Sequence, residues 1–452
     1  MSRLMAKIQA VLLLTALAAT FAYAGGGADK NAAKSGAAPA SKFASLKPGE
    51  KVTMRFTHAG ASEGEKSFMA NFKKYYEAKN PNITVEFIVI PGGEALQKLT
   101  VMTTAGDWPD VIGVLDVGDL AAMKIVEPLD PYFAKDDKFK KENFIPSVMK
   151  YSQVDGVTYS VPISAIGYGL MVNTNLLKKT GFKLEDIKTW DDLVKVSEAM
   201  TRDGAYGYGF CGVTPRFMYR DFYIAALSNG ITMDKLTDPA NKTKIMELLA
   251  FYKKLAPTIV SNWASLEWAD AHKYVIDNKM GMLTTGTYYQ SYMTGLNGDC
   301  IEYIKPIAYP KGPSADKANA YVSNYAYGIT TGSKHKDIAW DMIREVHLSA
   351  VGPEYAGSIH TSANMTYDKE AVKSAVAKYF GAHLDAQMEI LGRWEKIMAN
   401  GIPQPVVLGQ SDIERSYQEK MFAYLTGKIT ADQFYDQWMV TLGKIQADLK
   451  KK

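Results

Sequence analysis

The residues that could support catalytic or metal chemistry are few and scattered in this 452-residue chain. The six histidines include no His-Glu-x-x-His motif and no pair one helical turn apart, so we predict no metal site. The chain also lacks the Gly-x-x-x-x-Gly-Lys-[Ser/Thr] loop, which excludes P-loop nucleotide hydrolases. We therefore predict no catalytic residue and no cofactor. One alternative stays open, because paired carboxylates of a glycoside hydrolase cannot be selected by sequence among 48 Asp and Glu residues.

Aromatic residues that carry a polar atom are the more prominent chemical feature. Tyrosine (27) outnumbers phenylalanine (17), and there are seven tryptophans. Such side chains suit surfaces that contact both apolar groups and water. The 52 Lys and Arg residues against 48 Asp and Glu residues give a formal charge of only +4, too small for the basic field of a nucleic-acid-binding protein.

The N-terminus has the pattern of a secretory signal peptide. Arg3 and Lys7 precede an apolar run, and small residues at positions 22 and 24 predict cleavage after Ala24. The run of about a dozen residues is shorter than the roughly 20 that a membrane anchor needs. The first cysteine is Cys211, so no lipobox cysteine follows the run, and we expect a periplasmic protein. Residues 25–50 are small and polar and predict a flexible leader.

The two cysteines, Cys211 and Cys300, are too few for a disulfide framework. In an exported protein they could pair with each other or remain as two buried thiols, and the sequence leaves both possibilities open.

From residue 51 the hydrophobic pattern alternates between strand and helix. A capping box of Ser62 and Glu65 begins the first helix. The β-branched run Ile83–Ile90 predicts a strand buried on both faces. Together with strands at 52–56 and 110–115 and a helix at 95–104, this order predicts a parallel, doubly wound α/β lobe.

The rest of the chain continues the mixed pattern. Asp155-Gly156 predicts a hairpin turn, and a second capping sequence at Thr189 begins a helix with Trp190 as a core residue. The segment Gly204–Gly209 has an incomplete glycine-rich spacing and predicts a Gly/Tyr-rich turn rather than a phosphate loop. Strands are expected at 170–173, 280–284, 304–308 and 321–330, and mainly helices from residue 336 onward.

Seven local motifs occur in the order of one known family. They are Trp108-Pro109-Asp110-Val111-Ile112 with Asp116, Pro128-Leu129-Asp130, Asp155-Gly156 through Pro162, Thr189-Trp190-Asp191-Asp192-Leu193, Asn278 through Gly286, Ser333-Lys334-His335 through Trp340, and Gly427-Lys428-Ile429-Thr430. In these motifs the chain resembles the family 1 extracellular solute-binding proteins, the periplasmic sugar receptors of ABC transporters, which include the maltose-binding type. Asn278 and Gly281 depart from the family pattern.

The resemblance implies a type II periplasmic-binding-protein fold, with two α/β lobes, each a doubly wound sheet with flanking helices, joined by hinge crossovers. The N-terminal lobe would take residues 50–162 and 305–360, and the C-terminal lobe 163–304 and 361–452. Such a protein is expected to act as a monomer that captures a mono- or oligosaccharide between its lobes and delivers it to an ABC permease.

Candidate binding residues come first from the strand ends, where open α/β sheets bind their ligands. This rule selects His58 and Ser62 after the first strand, Asp116 after the third, and Tyr288 and Tyr289 after residues 280–284. Helix capping is the alternative role for Ser62 and Asp116, and a position in a surface loop is the alternative for His58. Glu63 is a candidate with Ser62.

The other candidates could stack against a sugar ring or bind its hydroxyl groups, with core packing as the alternative for each aromatic ring. They are Tyr168, Trp263, Trp268, Asn324, Tyr325 and Trp394. A rival with the same fold would bind a phosphorylated polyol, an amino-sugar or a peptide, and Arg216 with Arg220 is the one basic pair that could favour a phosphate. A secreted glycoside hydrolase is the rival of a different class.

Overall fold

The structure is a computed structural model that describes residues 42–60, 62–296, 298–358, 361–399, 401–403 and 407–449. The predicted signal peptide (1–24) and most of the predicted leader lie outside the described residues. The last part of the leader packs against the core, since Phe43 and Leu46 are buried and the Ser45 backbone N–H donates to Asp337 Oδ2 at 3.0 Å. A flexible leader that extends to residue 50 is therefore wrong, because two apolar side chains among small polar neighbours suffice to anchor this segment.

The described residues form twelve strands and eighteen α-helices. Strands β1 to β12 are Val52–His58, Ile83–Val89, Val111–Val114, Gln153–Val154, Val157–Thr158, Val161–Asn173, Tyr206–Gly209, Met280–Gly286, Ile304–Ile307, Tyr321–Ile329, Thr361–Ser362 and Ile402–Pro403. Helices α1 to α18 are Glu63–Lys79, Ala95–Thr104, Val117–Ala122, Asp130–Lys135, Pro146–Lys150, Thr174–Lys178, Trp190–Met200, Pro215–Leu227, Lys242–Leu255, Trp268–Ile276, Tyr289–Leu296, Cys300–Tyr303, Lys336–Leu348, Val351–Ser358, Lys369–Phe380, Leu384–Met398, Gln410–Leu425 and Ala431–Leu449.

Most strands join one mixed sheet in the order β2-β1-β3-β10-β6-β8-β7. Strands β1, β2 and β3 are parallel, which confirms the predicted parallel unit. β2 is the edge strand of this path, and its exposed Thr84 and Glu86 alternate with the buried Ile83 and Val85. The prediction of a strand buried on both faces is wrong here, because an edge strand can leave one face in solvent.

Strand β6 connects the two halves of the sheet. Over 13 residues, all of them buried, it pairs first with β10 through residues 161–168 and then with β8 through residues 168–172. Tyr168 has a partner on each edge of β6, since it lies opposite Tyr321 of β10 and also opposite Gly286 of β8. The elements on either side of β6 therefore meet around Tyr168.

The glycines beside Tyr168 allow helix α16 to approach β6 closely. A Cβ atom on Gly167 would lie 2.6 Å from Met398 Cγ, and one on Gly169 would lie 2.6 Å from the Ile307 carbonyl oxygen. Both positions also face the ring of the fully buried Trp394, at 3.4 Å. Because successive strand residues point to opposite faces, Tyr168 projects away from α16.

Several local predictions are confirmed. Capping boxes precede α1 and α7, and Trp190 is buried and stacks on Phe251 with ring centroids 4.6 Å apart. Asp155 (φ 50°) and Gly156 (φ 82°) form the hairpin turn between β4 and β5, and φ values of this sign at both positions are those of a type I′ turn.

Two further expectations are resolved. The predicted Gly/Tyr-rich turn is wrong, because Tyr206–Gly209 is strand β7, parallel to β8, and Gly207 packs directly on the Ser197 carbonyl. Cys211 and Cys300 are both buried and free, so they do not pair. Within the described part of the chain, no helix is both long enough and apolar enough to cross a bilayer.

The close packing of β9 and α16 around Gly169 predicts a difference between two glycine-to-alanine variants. We expect Gly169→Ala to reduce the free energy of unfolding by about 1–3 kcal/mol, because the added methyl group overlaps a backbone oxygen that cannot rotate away. Gly392→Ala in α16 is the matched control. No atom lies within 4 Å of its added methyl group, so we expect a gain of about 0.5–1 kcal/mol from helix propensity. Urea unfolding of both variants measures this, and equal effects would contradict the packing assignment.

Candidate ligand-binding site

A cavity of about 520 Å³ lies where the strand ends and helix starts from both halves of the sheet converge. Its size is within the range of about 300–1,000 Å³ that is usual for small-molecule sites. The lining residues are Ala59, Ser62, Glu65, Pro91, Gly92, Gly93, Glu94, Leu115, Ile166, Tyr168, Val213, Thr214, Pro215, Arg216, Phe217, Arg220, Glu267, Trp268, Ala269, Tyr288, Tyr292 and Tyr325.

One side of the cavity is formed by five rings, which we call the aromatic wall: Tyr168, Phe217, Trp268, Tyr288 and Tyr292. Trp268 is at its centre, with ring centroids 4.6 Å from Tyr292, 6.0 Å from Tyr288 and 6.1 Å from Phe217. Tyr288 lies 6.0 Å from Tyr168 in an edge-to-face arrangement. The rings pack against one another, and all except the buried Tyr168 are half-buried at the cavity.

A buried histidine packs against the aromatic wall at Trp268. The His272 ring lies 4.1 Å from the Trp268 ring, its Nδ1 lies 2.6 Å from the Trp268 carbonyl oxygen, and its Nε2 lies 2.8 Å from Thr285 Oγ1. The carbonyl can only accept, so Nδ1 carries the proton and Nε2 accepts from Thr285. Burial lowers the pKa of His272 to about 3, which keeps the imidazole neutral.

Two arginines one helical turn apart on α8 contribute the positive charge of the cavity. The Arg220 guanidinium carbon lies 4.9 Å from the centroid of the Tyr168 ring and 5.5 Å from that of Phe217, within cation–π range of both. Tyr168 in turn stacks on Tyr321, with centroids 4.4 Å apart. Arg220 is therefore held against the aromatic wall.

Arg216 pairs with two carboxylates, and we call Arg216, Asp116 and Glu414 the Arg216 cluster. Its Nη2 donates to Asp116 Oδ1, its Nε lies 3.5 Å from Glu414 Oε2, and its Nη1 donates to the Gly92 carbonyl at 3.4 Å. All three charged side chains are buried, and burial raises the pKa of Glu414. The cluster joins the start of α8 to the end of β3, to α17 and to the turn after β2.

Asp116 is the clearest departure from the predicted site. Its carboxylate accepts from Arg216, and Asp116 does not belong to the cavity lining. It does occupy the N-cap position of α3, but its side chain makes no capping hydrogen bond. Neither the predicted ligand contact nor the helix-cap alternative describes it, because an arginine distant in sequence takes up the carboxylate.

The predicted residues after β1 divide between the cavity and its surroundings. Ser62 lines the cavity and forms the capping box with Glu65. Glu63 is exposed and pairs with Lys66 at 2.6 Å. His58 is buried beneath the lining rather than in a surface loop, and its Nδ1 lies 2.9 Å from the Tyr327 hydroxyl.

Residues 60–64 have the Gly-x-Ser-x-Gly spacing of a serine-hydrolase nucleophile, with Ser62 at its centre. A nucleophile in that motif sits on a strained turn with its hydroxyl exposed. Ser62 instead has extended backbone angles (φ −103°, ψ 163°), and its Oγ donates to Glu65 Oε2 at 3.1 Å and accepts from the Glu65 N–H at 3.2 Å. Its geometry is that of a helix cap and not of a nucleophile.

Five predicted residues come together on the cavity surface: Ser62, Tyr168, Trp268, Tyr288 and Tyr325. Gly113 leaves the space into which the Tyr325 ring fits, and the Tyr325 hydroxyl accepts from the Ala59 N–H at 3.0 Å.

Four other predicted residues lie outside the lining. Trp263 packs between Phe210 and Phe422, and Trp394 packs against the glycines of β6. Tyr289 donates to the His272 carbonyl at 3.2 Å, and Asn324 donates to the Val148 carbonyl at 2.9 Å. The contacts of Trp263 and Trp394 match the packing alternative.

Some lining residues were not predicted. Residues 91–94 follow β2 and could have been found by the strand-end rule that selected the residues after β1 and β3. Phe217 and Tyr292 lie within helices α8 and α11, where the strand-end rule selects no residue. Among the described residues, no group of three or more His, Cys, Asp or Glu side chains is arranged to hold a metal ion.

Comparisons with a family model, with known sequences and with solved structures agree. A model of the bacterial extracellular solute-binding protein family matches residues 59–346. A binding protein of Brucella abortus (strain 2308) is 29% identical over 304 residues, which are 64% of this chain and 71% of that protein.

Solved structures resemble the chain over a larger part of its length. The GacH receptor of Streptomyces glaucescens, solved without ligand and with acarbose, superimposes with a TM-score of 0.71 at 19% identity, over 88% of this chain and 99% of that one. Maltose-bound MalE3 of T. maritima gives a TM-score of 0.70 at 20% identity, with the same coverage of both chains.

The Arg216 cluster predicts an order among three variants in urea unfolding. We expect Arg216→Met to lower the free energy of unfolding by about 3–5 kcal/mol, because it leaves two buried carboxylates without their cation. Asp116→Asn should cost less, since Glu414 still neutralises the arginine. Lys254→Met, which breaks an exposed pair with Asp191, is the control and should change stability by less than about 1 kcal/mol. Similar losses for Arg216→Met and Lys254→Met would contradict the assigned role of the cluster.

His272 predicts an acid-dependent loss of stability. Its pKa is about 3 in the folded chain and about 6.5 when unfolded, so the unfolded state binds the proton first as the pH falls below 6.5. Between pH 7 and pH 5 this side chain should therefore remove about 2 kcal/mol of stability, at 1.36 kcal/mol per pH unit. In urea unfolding, His272→Gln should lose correspondingly less over that interval than the unchanged protein. Equal losses would show that His272 is not held neutral.

Proposed function

The chain belongs to the bacterial extracellular solute-binding protein family, and from this we propose that it captures a carbohydrate in the aromatic cavity and delivers it to an ABC importer. Its fold is the two-lobed type II fold of the maltose-binding structures, as the sequence predicted. The mono- or oligosaccharide ligand, the permease partner and the monomeric state are part of the proposal.

The aromatic wall is the observation that carries this proposal. A sugar ring has an apolar face of C–H groups and an edge of hydroxyl groups. The four half-buried rings of the wall offer surfaces for the apolar face, whereas Tyr168 is buried with Tyr321 and Arg220 against its ring. Arg220 and Ser62, the N-cap residue of α1, also line the cavity and provide polar groups for the hydroxyl edge. A few polar groups among apolar side chains are the usual composition of a small-molecule site.

The relatives support the same class of ligand. The GacH receptor was solved with acarbose and MalE3 with maltose, and both of these ligands are saccharides. At 19% and 20% identity these proteins share the fold with this chain, and the ligand class is our inference from the aromatic wall and the family together.

We propose that the protein works by closure of its lobes around the solute. The N-terminal lobe would comprise residues 50–162 and 305–360, and the C-terminal lobe 163–304 and 361–452. Residues of both stretches line the cavity, for example Leu115 and Trp268, and this supports a ligand that touches both lobes. Such a ligand shifts the population toward the closed form by its higher affinity for that form. No covalent step, metal or cofactor is required.

The proposed site of action is the periplasm, after removal of the signal peptide at Ala24. The solute would be held there without chemical change until the binding protein meets the permease. This distinguishes the proposal from a secreted glycoside hydrolase, which would release reducing sugar from the same ligand.

A matched pair of tryptophan variants tests the proposal. In a panel of mono- and oligosaccharides, at least one should raise the melting temperature, because a ligand at 100 times its Kd adds about 2.7 kcal/mol of stability. Trp268→Ala should weaken that sugar at least 10-fold in calorimetric titration, since the central ring of the wall is lost. Trp263→Ala removes an equally large, half-buried ring outside the lining and should leave the affinity within about 2-fold.

Two results would count against the proposal. One is a well-folded protein that no sugar in the panel stabilises. The other is the release of reducing ends from a bound oligosaccharide, which would favour the hydrolase.

A further inference from the structure

The two arginines of the cavity differ in how their charges are balanced. Arg216 contacts two carboxylates, Asp116 and Glu414, and also the Gly92 carbonyl, so its charge and several of its N–H donors are already engaged. Arg220 lies one turn further along the same helix and lines the same cavity. Among the described residues, no carboxylate forms an ion pair with Arg220.

Arg220 contacts two aromatic rings. Tyr168 and Phe217 lie within 4.9 and 5.5 Å of its guanidinium carbon, and the side chain is half-buried. A guanidinium remains charged at any physiological pH and has five N–H donors but no acceptor. Ring faces attract the charge, but they offer no lone pair in the plane of the guanidinium, where its donors point. A partner for those donors must come from elsewhere.

The other acids of the cavity lining do not provide this partner. Glu65 accepts from the Ser62 N–H at 2.8 Å and from the Ser62 hydroxyl as part of the cap of α1. Glu94 pairs with Lys98 at 2.7 Å. Glu267 is exposed at the N-cap position of α10, where solvent surrounds it. Among the described residues Arg220 therefore has no ion-paired carboxylate, and Glu414, which pairs with Arg216, acts on it only from a longer distance.

We propose that the bound carbohydrate is a sugar acid, whose ring carboxylate pairs with Arg220. This inference rests on the proposed function and narrows its ligand class. A carboxylate matches the fork of a guanidinium with two parallel N–H···O bonds, which are short and strong because both groups are charged. The pyranose ring would then lie on the aromatic wall, because Tyr168 contacts both Arg220 and Tyr288. A single unpaired cation matches one carboxylate better than a phosphate dianion.

The test compares acids with their neutral parents by calorimetric titration at low and high salt. The probes are D-glucuronate against D-glucose, D-galacturonate against D-galactose, and trigalacturonate against maltotriose, with glucose 6-phosphate as an alternative anion. We expect at least one acid to bind 10-fold or more tightly than its neutral counterpart. That preference should decrease as salt is added, because it comes from charge.

Variants assign the preference to Arg220. Arg220→Met should weaken the acid at least 10-fold more than the neutral sugar, and Arg220→Lys should restore only part of the difference, since an ammonium group cannot form the bidentate pair. Arg202→Met is the control, because Arg202 lies outside the cavity lining and donates to the Lys179 carbonyl. Melting temperatures without ligand report whether each variant is folded.

The possible outcomes separate the inference from the proposed function. If neutral sugars bind as tightly as the acids, or if Arg220→Met weakens both equally, the sugar-acid inference is wrong and carbohydrate binding stands. Tighter binding of glucose 6-phosphate than of every uronate also overturns the carboxylate assignment. If no saccharide of either kind binds to the folded protein, the proposed function itself fails.

Discussion

The buried Arg216 guanidinium constrains the geometry of the whole cavity. Three segments that are far apart in sequence supply its partners: the end of β3 through Asp116, helix α17 through Glu414, and the turn after β2 through the Gly92 carbonyl. A buried cation without these partners would lower the stability of the folded state. The three segments and the start of α8 therefore have to be in contact in the folded protein. Once α8 is fixed in this way, the adjacent Phe217 and, one turn on, Arg220 line the cavity. The charge cluster therefore orients side chains that it does not contact.

A second constraint comes from the shape of β6. Gly167 and Gly169 let α16 pack on one face of the strand, and the intervening Tyr168 projects from the other face toward Arg220 and Tyr288. Tyr168 is also paired on both edges of β6, with β10 on one side and β8 on the other. A single residue thus links the backbone connection between the two halves of the sheet to the ligand-facing wall. In the proposed mechanism, a change in the angle between the lobes would directly change the contacts of this ring.

Much of the fold could be predicted from local signals in the sequence. The capping boxes at Ser62 and Thr189 and the Asp155-Gly156 turn are decided by contacts within four residues, and they were found. The predictions failed where the outcome depends on distant partners. β2 alternates because it is an edge strand, and β7 forms a strand because its glycines pack closely on other elements.

The candidate site shows the same division. The strand-end rule brought Ser62 and Tyr288 to the cavity because it describes a general property of the fold. It also selected Asp116, whose carboxylate pairs with an arginine 100 positions later, a pairing that no local pattern reveals.

The most direct test of carbohydrate binding in this cavity is the electron density of a crystal grown with the tightest-binding sugar of the panel. We expect a sugar ring stacked on Trp268 and Tyr288, with its polar edge toward Arg220. Sugar density outside this cavity, or a sugar that makes no contact with the aromatic wall, would contradict it.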